Sequence, residues 1–548
     1  MVEHSFRCPD MILINGPIYT ADDQSRTFSG MALSDGRIMA LGSSDEISAL
    51  ARQGTQRVDL KGRSAIPGIF DSHNHLAVAG AVMSDGVLLF DASTISELQE
   101  IVADQVRKLA PGEWVLGAGW IENQFKEWRM PTRWDLDEVA PNNPVILNRL
   151  FEMSVVNSKA LELAGLTDDG PDPDRGIADR DEQGRLTGVL RSGAQEAVRA
   201  VMPGMSSGEK VREYERHIRV AAEEYLRYGI TSVVDPGVRP LVMRAYQNAR
   251  ENGDLPLRVN MMPTWYGFGS HTENMEGKLD HIGLHTNFGD EWLRIGAMKM
   301  VIDGGLGSRT ALMYDPWIDG SRSKVPLSID TGKLEAYFEE AHSAGWSIGI
   351  HCCGDKSQDI ACASFDAVIG RDPREDVRHN IIHGYFATQK SLEIMQQRSI
   401  SVSAQPGFIW VEGDVYFAAA TEERLRDFTP LRSYSERGIM VACNSDMTSN
   451  HYNPFWGIHS AVTRKTSRGA TLGDEERVDR FEALRMFTHN GAHLAFWEDL
   501  TGSLEIDKAA DVVVLDNDYG SASDDDLHDL KVDMTIIGGE TVYDRSSS

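Results

Sequence analysis

Residues 65–76 read AIPGIFDSHNHL: a short apolar run, punctuated by Pro67 and Gly68, that ends in Asp71 and then His73-Asn74-His75. Two histidines at i and i+2 on an extended chain point the same way, so both imidazoles can reach one metal ion. The same texture, an apolar run closed by polar residues, recurs along the middle of the chain. ITSVVDPG (230–237), LRVNMMPTW (257–265), LRIGAMKMVIDGG (293–305), WSIGIHCCGD (346–355), HNIIHGYF (379–386), SISVSAQPG (399–407) and GIMVACNSDM (438–447) all fit it. Helical amphipathic stretches lie between several of them, such as GEKVREYERHIRVAAEEYLRYG (208–229) and KLEAYFEEAHSAG (333–345). Strands alternating with helices make a parallel sheet, and near-continuous apolar strands are buried on both faces, as in a closed barrel. The expected fold is α/β, a (β/α)₈ TIM barrel.

Working outward, both ends of the chain read as short strands separated by Gly, Asp and Asn. MILINGPIYT, MALSDGRIMALG and QRVDLKGRSAIPG open it, with SDGR and LKGR as candidate hairpin turns, and GSLEIDKAADVVVLD and VDMTIIGGETVYD close it. Residues 1–66 and 499–548 are therefore expected to form one small composite β-sandwich domain around a barrel at 67–498. WVLGAGW (114–120) and PVILNRL (144–150) are surplus to eight strands and fall in a region rich in Trp, Pro and Asp, which marks an insertion at about 90–220.

In such a barrel the chemistry sits where strands end and the following loops begin. His73 and His75 end the first strand, His351 ends WSIGIH, His383 ends NIIH, and Asp446 follows MVAC. Lys299 lies inside an apolar run, where an amine is costly unless it is paired or chemically modified. An HxH pair alone is a weak signal. One metal-compatible residue at each of several strand ends, in a barrel pattern, is a much stronger one.

Composition excludes other classes. Lys plus Arg is 54 against 83 Asp plus Glu, a net charge of −29, which leaves no basic footprint for nucleic acid or anionic lipid. The five cysteines are too few and too irregularly placed for a disulfide framework. The first twenty residues lack a basic start followed by an apolar run, and no run of 18 apolar residues occurs, so neither a signal peptide nor a membrane span is expected. The expected compartment is the cytoplasm, and the expected partner is a small-molecule substrate.

His-x-His, a strand lysine, two strand-end histidines and an aspartate, in that order, resemble the amidohydrolase superfamily. PGIFDSHNHL, GAGWIENQFKEWRMPTRWDLDEVAPNNPVIL, KMVIDGGLGSRTALM, IGIHCCGD, SAQPGF, CNSDM and GSLEIDKAADVVVLD narrow the resemblance to its amidohydrolase 3 group, which includes deformylases of N-substituted formamides. The resemblance spans about Met11 to Asp544. It implies that His73, His75 and Asp446 hold one divalent metal, most simply Zn²⁺, that His351 and His383 hold a second, and that Lys299 bridges the two after carboxylation by carbon dioxide. One or two metals fit this set. It further implies that Asp446 takes a proton from metal-activated hydroxide and returns it to the leaving nitrogen, and that the enzyme is a homodimer. The expected reaction is hydrolysis of an amide or formamide-like C–N bond. A cyclic amide hydrolase or deaminase-type reaction on the same site is the alternative. A non-catalytic barrel scaffold should show broken ligands, and here all six residues are present.

The chain departs from the group's pattern at Glu152, where a histidine is common, and at Ile382, where a glutamate is common. Glu152 is a candidate substrate-facing carboxylate. Arg309, in the glycine-rich DGGLGSR (303–309), is a candidate partner for an anionic substrate group; that loop lacks the Gly-Lys-Ser/Thr of a P-loop. Trp120 and Trp456 are candidate walls of an apolar pocket. Cys352 and Cys353 directly follow His351 and are read as buried strand cysteines rather than as metal ligands.

Overall fold

The structure, a computed structural model, describes residues 8–150, 153–174, 176–204, 206–266, 283–323 and 327–547. Eight parallel strands run in chain order around a barrel: β1 (Ile69–Asp71), β2 (Ile230–Val238), β3 (Arg258–Tyr266), β4 (Leu293–Ile295, resumed at Met298–Val301), β5 (Ile348–Cys352), β6 (Asn380–His383), β7 (Ser401–Ala404) and β8 (Val441–Cys443). The sheet order follows the sequence order from β1 to β8. Polar contacts join the two end strands. The Ser72 hydroxyl donates to the Cys443 carbonyl at 3.1 Å, and the Asp446 N–H donates to the His73 carbonyl at 2.9 Å. Asp71 reinforces the seam by accepting from the Ser445 N–H (3.0 Å) and hydroxyl (2.6 Å) and from the Asn74 side chain (2.9 Å).

Strand alternation sorts side chains between the two faces. Met298, Met300, Ile348, Ile350, Cys352 and Ile381 point out of the barrel into one large apolar core shared with the surrounding helices. Phe70, Val234, Met262 and Ile382 point inward and fill the lower interior together with Trp497 and Leu500. Lys299 and His351, offset by one residue from the outward set, therefore face the upper interior.

The β-rich ends meet in one eight-stranded sheet. Met11–Tyr19 and Ala65–Pro67 from the front of the chain lie next to Val512–Leu515, Val532–Ile537 and Glu540–Asp544 from its end. Their shared core contains Leu13, Met31 and Val58 beside Val512, Val514 and Ile536. SDGR is a hairpin turn, between Thr27–Ser34 and Arg37–Gly42. LKGR is not. The segments before and after it both pair in parallel with Met11–Tyr19, because fully buried Leu60 anchors the bend in the core and carries the chain onward in the same direction.

The insertion is a six-stranded sheet built from strands between Val87 and Ser192. WVLGAGW and PVILNRL supply two of its strands (Val115–Ala118 and Val145–Leu150). The helix Ser207–Leu226, inside the range expected for the insertion, packs on the helix Leu76–Asp85 and belongs to the barrel's outer layer. Arg149, fully buried, pairs with Glu122 of the insertion (2.6 Å) and ties it to the barrel loops through Glu412 (3.2 Å). Among the described residues no helix is long and apolar enough to cross a membrane.

Candidate metal centre

Six side chains, five from strand ends and Lys299 from within β4, converge at the C-terminal mouth of the barrel. His73 and His75 lie just past β1. Their Nε2 atoms stand 3.6 and 3.5 Å from Asp446 Oδ1, so the three present ligand atoms to a common point. On the other side of the mouth, His351 Nδ1 and His383 Nε2 are 2.8 Å apart. Lys299 stands between the halves, with Nζ 3.2 Å from His73 Nε2. All six line one cavity of about 740 Å³.

Backbone geometry explains how two of these residues reach the site. His383 directly follows inward-facing Ile382, so simple alternation would turn it outward. Its φ of +76° breaks the alternation and swings the imidazole into the mouth. Asp446 likewise sits at φ +52°. A histidine in the left-handed region costs about 1–3 kcal/mol, and such conformations cluster where function demands a side-chain direction.

The local electrostatics favour metal ligation. Burial, then the nearby Lys299 charge and the other imidazoles, hold His73 and His351 well below the usual histidine range, His351 at about 3. Burial, then His351 and Lys299, does the same to His383. Burial also lowers His75, against the opposing pull of Asp446. The imidazoles are thus neutral, the form that donates a lone pair to a metal. Burial pushes Lys299 down to about 8 despite Asp446. A nitrogen-rich cluster with one carboxylate, deprived of solvent, matches the N/O donor set of a divalent transition metal.

Supporting residues fix these side chains. His383 Nδ1 lies 2.7 Å from Gln405 Oε1, and the Gln405 amide is itself oriented by donating to the Ser403 carbonyl at 3.1 Å. An acceptor on Nδ1–H leaves the Nε2 lone pair for the centre. Asp303 accepts from the N–H groups of Leu312 (2.8 Å), Cys353 (3.1 Å) and Gly354 (2.9 Å), which clamps the β4 and β5 loops together. Burial still holds Asp303 up at about 6 against these hydrogen bonds. Gln405 and Asp303 obey the rule that found the histidines: each is a polar residue closing an apolar strand. An amide is a poor metal ligand, so the strand-end rule by itself does not single out Gln405.

The candidate substrate contacts distribute differently. Trp120 is fully buried in the core of the insertion, where its indole N–H donates to the Leu147 carbonyl at 3.0 Å, and it does not line the cavity. Trp456 packs against Trp410 and His451, also off the cavity. Arg309 turns outward to Asp319 at 2.5 Å. Glu152 lies outside the described residues. The cavity walls come instead from Tyr385, Phe408, Glu412 and Tyr416 on one side and from Gln195, Glu196 and Arg199 of the insertion on the other. Remote segments meet there, so no local motif announces these residues. His379 sits away from the mouth, stacked on Phe365 and paired with His342 at 2.9 Å.

Comparison with known proteins agrees with this geometry. A family model described as the amidohydrolase family matches residues 56–543. The chain is similar to an N-substituted formamide deformylase of Arthrobacter pascens, 30% identical, with 98% of this chain and 99% of that protein covered. It is 27% identical to the putative amidohydrolase YtcJ of Bacillus subtilis, covering 97% and 99% of the two chains. Among solved structures, an uncharacterized metal-dependent hydrolase from Pyrococcus horikoshii superposes with a TM-score of 0.72 at 27% identity, over 94% of this chain and 99% of that one.

Proposed function

We propose that this chain, which belongs to the amidohydrolase family, is a metal-dependent hydrolase of a small molecule's amide or formamide-like C–N bond. The observation that carries the reading is the convergence of His73, His75, Lys299, His351, His383 and Asp446 on one cavity. The relative's name, N-substituted formamide deformylase, supports the formamide end of this range.

In this reading His73, His75 and Asp446 hold one divalent ion, most simply Zn²⁺, and His351 and His383 hold a second. Lys299 joins them as a carbamate: its neutral Nζ forms a bond to the carbon of carbon dioxide and loses a proton. That exchange replaces a buried cation with an anion, which suits a site crowded with nitrogen donors. Bound there, the metal ions lower the pKa of water from 15.7 towards about 7 and polarise a carbonyl oxygen. Asp446 accepts the proton of the attacking water and delivers it to the nitrogen as the C–N bond breaks, since an amine departs poorly unless protonated. Tyr385, Phe408 and Tyr416 wall the cavity beside these groups and favour an apolar or aryl substituent on the substrate.

The test is a panel of N-formyl and N-acyl amines, lactams and aryl esters, assayed with purified protein whose metal content is measured by plasma emission. The expected result is stoichiometric divalent metal and amine release that chelation abolishes and metal restores. A folded barrel that binds no metal, or hydrolysis that survives complete metal removal, overturns the proposal.

A further inference from the structure

We infer that Cys353 is a sulfur ligand to the metal held by His351 and His383, so that the two halves of the centre differ in chemistry. The inference rests on the metal-dependent reading above and concerns which of this chain's own residues complete the site. Cys353 lies two residues past His351, is only 2% exposed and lines the same cavity. Its Sγ is 3.4 Å from His351 Nε2. One ligand atom from each of His351, Cys353 and His383 falls within 4.8 Å of the other two. A tetrahedral ion with bonds of about 2.0–2.1 Å to nitrogen and about 2.3 Å to sulfur needs ligand–ligand edges of roughly 3.3–3.6 Å. In the structure His351 turns Nδ1 to His383 and Nε2 to Cys353, so an ion held by all three requires the His351 ring to swing until one nitrogen serves both neighbours.

The main chain holds the sulfur in place. The Cys353 N–H donates to Asp303 Oδ1, and the next N–H, that of Gly354, donates to Asp303 Oδ2. Gly354 passes so close to Leu312 that a Cβ would sit 2.0 Å from the Leu312 carbonyl oxygen, so only glycine allows this approach. The adjacent Cys352 provides an internal contrast. It ends β5, points away from the barrel interior and is buried in the apolar core shared with the surrounding helices. Two neighbouring thiols thus face opposite environments, one apolar and one lined with imidazoles.

A thiolate is a soft donor that favours zinc, cobalt or cadmium over magnesium or manganese. The His73–His75–Asp446 half carries only nitrogen and oxygen donors. The His351–Cys353–His383 half is therefore the more thiophilic position.

Cobalt-substituted protein gives the test, with absorption spectra rather than activity as the readout. Wild type and Cys352→Ser should show a near-ultraviolet thiolate-to-cobalt charge-transfer band beside the visible ligand-field bands. Cys353→Ser should keep visible bands from the histidine ligands, lose the charge-transfer band, and bind its weaker cobalt equivalent at least about tenfold less tightly. Cadmium-113 NMR of the wild-type protein tests the same point without a variant: one resonance should carry the downfield shift of sulfur ligation. Visible cobalt bands with no charge-transfer band, a band that survives in Cys353→Ser, or cadmium resonances confined to the nitrogen/oxygen range overturns the inference alone. A folded protein that binds no cobalt and no cadmium overturns the metal-dependent reading and this inference together.

Discussion

Replacing Asp446 by Asn isolates the charge of the residue assigned to proton transfer. The backbone permits this change and few others. Asp446 sits at φ +52°, a left-handed conformation that Asp and Asn tolerate better than other non-glycine residues, and its N–H bond to the His73 carbonyl is independent of the side chain. The amide oxygen can still occupy the place of Oδ1, 3.5–3.6 Å from the two histidine Nε2 atoms. What disappears is the acceptor that can carry a proton from water to the leaving nitrogen. Positioned general acid–base groups contribute about 10²–10⁴-fold, or roughly 3–6 kcal/mol of barrier at about 1.4 kcal/mol per decade. We expect kcat of Asp446→Asn to fall by at least that factor on the best substrate of the panel, measured at saturating metal, with plasma emission showing that the histidines retain the ion. A variant that keeps its metal and turns over within threefold of wild type would show that the proton travels by another group.

Two further predictions bear on the supports of the site and of the fold. Gln405→Leu removes the acceptor that fixes the His383 tautomer, 2.7 Å from Nδ1, and should weaken metal binding by about 10–100-fold in a chelator-competition titration; unchanged affinity would refute the orienting role. Asp511 forms a buried bidentate pair with Arg258 (2.8 and 3.1 Å) where the β domain meets β3, and Asp511→Asn should cost about 3–5 kcal/mol in urea unfolding at neutral pH. Burial raises the Asp511 pKa, but the Arg258 charge and the hydrogen bonds outweigh it and leave the carboxyl below its ordinary value. A carboxylate depressed in the folded state stabilises fully above its unfolded pKa of about 3.9, and that contribution is lost as pH falls through the folded value. The gap between wild type and Asp511→Asn should therefore narrow below about pH 4, and a gap constant from pH 7 to pH 3 would refute the pairing argument.

The barrel was legible because each strand carries its own signature. LRIGAMKMVIDGG or WSIGIHCCGD reads as a doubly buried strand without reference to any other part of the chain, and the helices between such runs enforce parallel pairing. LKGR misled because a turn composition does not specify whether the chain reverses or carries on. The buried position of Leu60, which depends on strands from both ends of the molecule, decides that. Trp120 misled for a related reason. An indole has both an apolar body and a polar handle, and only the packed insertion shows that the Leu147 carbonyl satisfies the handle.

The sequence by itself determined the barrel, the −29 charge, and the identity of the polar residues that close its strands. These are local properties: side-chain type, period and position in a run. Tertiary structure alone decided the rest. It brought Lys299 to within 3.2 Å of His73, 226 residues away, and turned His383 inward through a left-handed backbone. It separated Cys353 from Cys352 by facing one to imidazoles and the other to the core. It also laid the insertion over the mouth, so that Gln195 and Glu196 line the same cavity as Tyr385. The physical reason is that a side chain's type is written in the chain, whereas its neighbours depend on closure of the barrel, which brings residues hundreds of positions apart to one rim.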